Sequence, residues 1–151
     1  MMRRALVACT ALISLIGPWQ AADASRAQEY LREGYRAAMA REWDEAIQWY
    51  TRAVQEDGAN PDVYFHRAVA LEMAQRLDEA ASDYEKVLQL KPDNYLALEY
   101  LGKLYERKGD HIRALEMYRR ALPLVKNSKW RSILKVWMTQ AEEKIRESKK
   151  R

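Results

Sequence analysis

Residues Leu77–Asn94 read LDEAASDYEKVLQLKPDN, and this stretch decides the fold. Its apolar residues recur at the i, i+3, i+4, i+7 spacing of one helix face. Asp78 and Glu79 open the run, where negative charge favours a helix N-terminus. Pro92 follows, and proline cannot continue a helix. The stretch therefore predicts an amphipathic helix over about Asp78–Leu90, followed by a turn at Asp93-Asn94.

Much of this stretch occurs three times at a spacing of 34 residues, as WDEAIQWYTRAVQ from Trp43 and HIRALEMYRRALP from His111 show. Within the 34-residue repeat, two positions hold a small residue in every copy and a third position holds tyrosine. These are Gly34, Ala68 and Gly102; Ala46, Ala80 and Ala114; and Tyr50, Tyr84 and Tyr118. Small residues let two helices approach, and the large residue fills the space beside them. One such helix pair cannot bury its apolar face alone, so the period predicts stacked pairs with one continuous core.

With Leu101-Gly102, Tyr105 and Pro92 also in place, these positions resemble the tetratricopeptide repeat family. The first repeat departs from the family pattern at Glu33, Ala37 and Gly58, as expected of a terminal repeat. The resemblance implies an all-α fold, a right-handed superhelical solenoid of three helix-turn-helix repeats plus a final helix. The repeats are placed at residues 27–60, 61–94 and 95–128, within a domain of residues 25–128.

The N-terminal residues 1–24 read as a secretory signal peptide. Arg3 and Arg4 precede the uncharged segment Ala5–Ile16, and Ala22-Asp23-Ala24 offers a cleavage site. Twelve apolar residues are too few for a bilayer-spanning helix, which needs about 20. Cys9 lies inside the apolar segment and not after it, so its match to a lipoprotein signal is accidental. We expect an exported protein, periplasmic or secreted, of a bacterial envelope; the alternative is a retained N-terminal anchor.

Residues 129–151 predict a further amphipathic helix with a basic tail. Its apolar stripe comprises Trp130, Ile133, Leu134, Trp137, Met138, Ala141 and Ile145. We interpret it as a capping helix over the last repeat. The alternative is an interaction helix, with Trp130 and Trp137 as a possible second surface for a partner or a membrane.

Charge is unevenly distributed along the chain. The net charge is +4, but nine Lys/Arg against three Asp/Glu from Lys126 onward give +6, so the preceding residues carry −2. We interpret the terminal Lys149–Arg151 as a solvated helix end. Nucleic acid is not expected as a partner of an exported protein, and a membrane surface is a minor alternative.

The sequence carries no catalytic motif. His66 and His111 have no further ligand at metal-binding spacing, and no phosphate-binding loop or nucleophile motif occurs. The predicted sets of catalytic residues, metal ligands and cofactors are therefore empty, and we expect a protein that is not an enzyme.

In the family that this chain resembles, the first helices of the repeats line a concave groove that holds a peptide or helix of a partner. The residues carried over to this groove are Leu31, Tyr35, Met39, Phe65, Val69, Glu72, Leu96, Glu99, Lys103 and Glu106. The cationic clamp for heat-shock chaperone tails is absent, because its positions hold Leu31, Tyr35, His66, Leu96 and Tyr100. The expected ligand is an apolar segment, extended or helical. The chain's own Ser25–Gln28 or its C-terminal helix could instead cover the groove.

The sequence thus predicts a non-enzymatic adaptor or scaffold of the cell envelope. The alternative is a self-assembling structural repeat protein, whose chains stack through their terminal repeats by head-to-tail contacts that need not close.

Overall fold

The computed structural model describes the backbone of residues 18–150 and the side chains of residues 26–150. Over this range the chain folds into seven α-helices and no strand. They are α1 (Pro18–Met39), α2 (Trp43–Glu56), α3 (Pro61–Met73), α4 (Leu77–Leu90), α5 (Tyr95–Arg107), α6 (His111–Ala121) and α7 (Ser128–Ser148). Each helix packs antiparallel against the next one along the chain. The predicted all-α superhelical solenoid, with three helix pairs and a final helix, is confirmed.

The N-terminal prediction falls largely outside this range. The apolar segment Ala5–Ile16 lies beyond the described residues, whereas α1 begins at Pro18 and continues through the predicted cleavage position after Ala24. Signal peptide and export therefore stay predictions.

Both kinds of turn repeat along with the helices. Asn60, Asn94 and Asn127 precede α3, α5 and α7, and each accepts a hydrogen bond on its side-chain oxygen from a backbone N–H of the following helix. This cap satisfies a donor that the first helical turn leaves without a partner. In the turns within the three pairs, the left-handed position is held by Arg41 (φ 63°), Gln75 (φ 61°) and Gly109 (φ 76°).

Packing inside a repeat depends on one close approach of a small residue to a tyrosine ring. A Cβ added to Gly34 would lie 2.4 Å from Cε1 of Tyr50, and a Cβ added to Gly102 would lie 2.4 Å from Cε1 of Tyr118. Both rings are only 1% exposed. The pairing of small and large residues predicted from the 34-residue period is therefore a direct contact between the two helices of a pair.

The final helix occupies the place of a first helix in a fourth repeat. In each repeat the buried tyrosine contacts an aromatic ring of the next first helix. The three pairs are Tyr50–His66 at 6.2 Å, Tyr84–Tyr100 at 5.9 Å and Tyr118–Trp137 at 5.7 Å between ring centroids. Leu134 and Ala141 are buried as α7 packs on α6. The helix thus extends the core by one layer and covers the third repeat.

Candidate functional site

The first helices α1, α3, α5 and α7 share one surface, here called the A-helix face. Side chains connect all four helices across it. The Tyr35 ring contacts the His66 ring at 4.6 Å, the Phe65 ring contacts the Tyr100 ring at 5.3 Å, and Lys103 Nζ lies 4.5 Å from the Trp137 ring centre. The predicted groove residues all lie on α1, α3 or α5.

The part of this face formed by α1 and α3 is apolar and accessible. Met39 is 86% exposed, and Tyr35 and Met73 are 39% and 45% exposed. Leu31, Phe65 and Val69 are half-buried and pack against the core. Leu96 on α5 adds a further exposed apolar side chain. Contiguous exposed apolar surface of this kind marks interaction sites in soluble proteins.

The charged groove residues of the second and third repeats are paired within the protein. Lys103 Nζ donates to Glu99 Oε1 at 2.6 Å, and Arg107 donates to Glu72. Lys144 on α7 donates to Glu106 Oε2 at 3.0 Å. Glu72 on α3 is thus paired with a cation on α5, and Glu106 on α5 is paired with a cation on α7, so the same interaction between neighbouring first helices occurs twice. These carboxylates are therefore neutralised in place by cations of the same chain.

Two residues of this surface could not be placed from the 34-residue register. Trp137 follows Tyr100 by 37 residues, and Lys144 follows Arg107 by 37 residues, yet each pair makes equivalent contacts. This spacing exceeds the 34-residue period by three residues. Three residues are nearly one helical turn, so the same face of the helix points toward its neighbour. The recurring 37-residue spacing of an aromatic and a cation was the signal in the sequence.

The two tryptophans predicted as a second surface have different environments. Trp137 is half-buried between Tyr118 and Lys103, so it belongs to the A-helix face. Trp130, in the first turn of α7, is 49% exposed. The second surface and the head-to-tail stacking of chains both stay predictions, and Trp130 is the exposed tryptophan of the two.

Neither predicted internal cover folds back over the A-helix face. Residues 25–28 continue α1, and α7 stacks on α6 at the end of the solenoid. The alternative that one of these segments covers the groove does not hold, because both are part of the helix stack.

The positions that would form a chaperone-tail clamp hold no cation here. Leu31 and Leu96 are aliphatic, and His66 lies among the rings of Tyr35, Tyr50 and Phe65. Burial among them lowers the pKa of His66, with Asp62 opposing the effect. The imidazole is therefore neutral at pH 7 and offers no charge to a carboxylate.

A second feature, which the sequence did not reveal, lies between α2, α3 and α4. Arg67 donates from Nε and Nη2 to the two carboxylate oxygens of Asp83, at 2.7 Å each, and from Nη1 to Thr51 Oγ1 at 3.3 Å. The pair lines a cavity of about 410 Å³. The third repeat has Leu101 and Met117 at these two positions. Arg67 and Asp83 are satisfied by each other, so this site has a structural explanation.

No metal site is apparent in the described part of the chain, which contains no cluster of three His, Cys, Asp or Glu side chains suited to a cation. His111 Nδ1 lies 3.1 Å from Glu106 Oε1, which explains its half-buried position at the start of α6. Among residues 18–150, no helix combines the length and apolar composition needed to cross a bilayer.

Comparison with protein families gives one consistent result. Three sequence models described as "Tetratricopeptide repeat" match residues 31–63, 61–94 and 83–116, which together cover more than half of the chain. The second match coincides with the predicted second repeat, and the third is displaced from the third repeat by about one helix.

Curated relatives match part of the chain. The chain is 32% identical over 98 residues to the Hsp70-Hsp90 organizing protein of Triticum aestivum, covering 65% of this chain and 17% of that protein. It is also 32% identical over 78 residues to a probable UDP-N-acetylglucosamine–peptide N-acetylglucosaminyltransferase, SPINDLY, of Hordeum vulgare, covering 51% of this chain and 8% of that enzyme. The chain thus spans less than a fifth of either relative.

Solved structures confirm the fold. The first TPR of Spaghetti (RPAP3), bound to the HSP90 peptide SRMEEVD, aligns with a TM-score of 0.72 at 21% identity over 81% of this chain and 94% of that one. The Yersinia enterocolitica type III secretion chaperone SycD, in complex with a peptide of the translocator YopD, aligns with a TM-score of 0.72 at 10% identity over 78% and 92%. At these identities the likeness shows the fold alone.

Proposed function

Because the chain is a tetratricopeptide repeat protein of about three repeats and a final helix, we propose that it binds an apolar segment of a partner protein on its A-helix face, without making or breaking a covalent bond. The observation that carries this proposal is the exposed apolar surface of α1 and α3, beside carboxylates that are already paired. Two of the similar structures hold a bound peptide.

The charge arrangement favours an apolar ligand over an acidic tail. Tyr35, Met39 and Met73 provide exposed apolar area, and burying such area against a partner is favourable by about 25 cal/mol per Å² before the entropic cost of association. A carboxylate would need an unpaired cation, whereas Lys103, Arg107 and Lys144 each hold a carboxylate of this chain. Met and aromatic side chains are also enriched at protein interfaces.

The cellular setting follows from the N-terminal sequence only. Arg3-Arg4, the apolar segment Ala5–Ile16 and Ala22-Asp23-Ala24 support an exported adaptor or scaffold of a bacterial envelope. N-terminal sequencing of protein recovered from the periplasm or medium tests this part. A chain that begins at Met1 and stays in the cytoplasm would remove the envelope setting and leave the binding proposal intact.

The binding proposal is tested with side chains that do not support the fold. The variant Met39→Gln, Met73→Gln removes two exposed apolar groups of the A-helix face and retains helix-forming residues. Ile112→Gln is the matched control, because Ile112 is 68% exposed but lies on α6. Phe65 is kept, since it packs against Tyr84 and its loss would disturb the core.

Each protein is used to capture partners from an envelope extract, and the captured segment is then synthesised and titrated by calorimetry. We expect the double variant to bind at least tenfold more weakly, the control to bind as wild type, and the affinity to change little with salt because the contacts are apolar. Equal affinities for all three proteins would exclude this face as the binding site.

A further inference from the structure

A second exposed surface lies at one end of the helix stack. Since successive helices are antiparallel, the turns between repeats all lie at the same end, where α3, α5 and α7 begin. The α4–α5 turn there exposes Leu90 (37%) and Tyr95 (41%), and the first turn of α7 exposes Trp130 (49%). We call these three apolar side chains, together with the cations described next, the turn-end surface.

The cations of this surface are exposed and unpaired. They are Lys91, Lys126, Lys129 and Arg131. None of the four forms an ion pair with the described residues, and Asp93 is the acid between Leu90 and Tyr95. The sequence from Met117 to Ala141 contains six Lys/Arg and no Asp or Glu. This end of the second and third repeats is therefore positively charged around half-exposed aromatic rings.

At the opposite end of the stack, the turns inside the second and third repeats hold paired cations. There Arg76 pairs with Glu79, Lys108 with Asp78, and Arg113 with Asp110. The turn between the first two repeats also lacks this positive charge, because it carries Glu56 and Asp57. Exposed cations without an ion pair among the described residues also occur at the opposite end, at Arg41, Lys149 and Lys150, so the turn-end surface is distinguished by the exposed rings of Tyr95 and Trp130 beside its cations. The helix dipole accounts for Lys91 at the C-terminus of α4, whereas Lys129 and Arg131 in the first turn of α7 are unfavourable to that helix.

We propose that the turn-end surface binds the anionic headgroup layer of a lipid bilayer. Clustered Lys and Arg are attracted to anionic lipid, and Trp and Tyr rings favour the membrane–water interface. A headgroup layer neutralises dispersed cations without a shaped counterpart, which suits charges distributed over two separate turns. α1 is parallel to α7, so it begins at this same end of the stack. This surface is separate from the peptide-binding proposal and does not depend on it.

The test is flotation of the full chain with vesicles of phosphatidylcholine alone or mixed with phosphatidylglycerol. The first variant is Lys126→Gln, Lys129→Gln, Arg131→Gln, and the second is Trp130→Ala. The control, Arg32→Gln, Arg41→Gln, Arg146→Gln, makes the same change of net charge at exposed cations elsewhere. The N-terminal segment is identical in all proteins and contributes equally.

We expect wild type to bind mixed vesicles and to dissociate as salt rises. The triple variant should bind roughly 100-fold more weakly, at about 1 kcal/mol per cation and 1.4 kcal/mol per tenfold change. Trp130→Ala should also weaken binding, and the control should bind nearly as wild type. Unchanged melting temperatures would show that the variants are folded.

Three results would overturn the proposal. Equal binding to both vesicle types by wild type and triple variant would assign attachment to the apolar N-terminal segment. Equal weakening by the control would show a general net-charge effect. Binding to polyglutamate but to neither vesicle would assign the turn-end surface to an acidic protein.

Discussion

Gly102→Ala tests whether the approach of α5 to α6 sets the geometry of the repeat. In an isolated helix the change would be stabilising, since alanine is favoured over glycine by about 0.5–1 kcal/mol. In this protein the new Cβ would lie 2.4, 2.7 and 3.1 Å from three ring carbons of Tyr118, whereas ordinary contacts begin at 3.4 Å. The ring or the helix must therefore move by about 1 Å (3.4 − 2.4).

The ring has little freedom to move. Tyr118 is 1% exposed and contacts Trp137 on the neighbouring α7. Inserting a methyl group into packing this tight costs about 1–3 kcal/mol. After subtracting the helix-propensity gain, we expect Gly102→Ala to lower the free energy of unfolding by about 1–2 kcal/mol, with a melting temperature lower by about 3–6 °C.

The assay is thermal and urea unfolding followed by circular dichroism. Ala68 occupies the same position in the second repeat, where alanine is already accommodated beside the buried Tyr84. Ala68→Gly should therefore also destabilise, through lost helix propensity and a lost buried methyl group. Combining Gly102→Ala with Tyr118→Leu, which removes the ring, should destabilise less than the sum of the single changes. A higher melting temperature for Gly102→Ala would refute the close-packing argument.

Three further predictions concern the ion pair, the turns and pH. Asp83→Asn leaves Arg67 buried without its counter-charge and should lower the free energy of unfolding, measured in urea, by about 3–5 kcal/mol. Replacing both residues by the leucine and methionine that the third repeat has at these positions should recover most of that loss. Gln75→Gly should raise the free energy of unfolding and Gly109→Ala should lower it, each by about 1 kcal/mol, because both positions are left-handed; equal effects of the same sign in urea unfolding would contradict this. Burial and a hydrogen bond to a carboxylate raise the pKa of Tyr105 to about 12, so the folded state holds this proton more tightly than the unfolded state; stability should therefore fall as the pH rises from about 10 to 12, and Tyr105→Phe should show a shallower decline.

The sequence by itself determined the repeat, its helix pairs and the contact inside each pair. Gly102 and Tyr118 are 16 residues apart, within one helix-turn-helix unit, and a contact of that range is fixed by helix periodicity and a short turn. Three copies at one spacing made the interpretation firm, because independent chance would not repeat it. The sequence also located the apolar residues of α1 and α3, and the structure places them on one accessible face.

Only the tertiary structure decided what the charged residues of that face do. Glu106 is one of the predicted groove residues, and it is neutralised by Lys144, 38 residues later and on the other side of a longer turn. The buried pair of Arg67 and Asp83 likewise joins two helices through geometry that no spacing rule specifies. Such contacts depend on the length of each turn and the register of neighbouring helices, and a shift of three residues moves a different side chain into place. The sequence therefore determines which surfaces are apolar, whereas the packing of one repeat on the next determines which charges remain available to a partner.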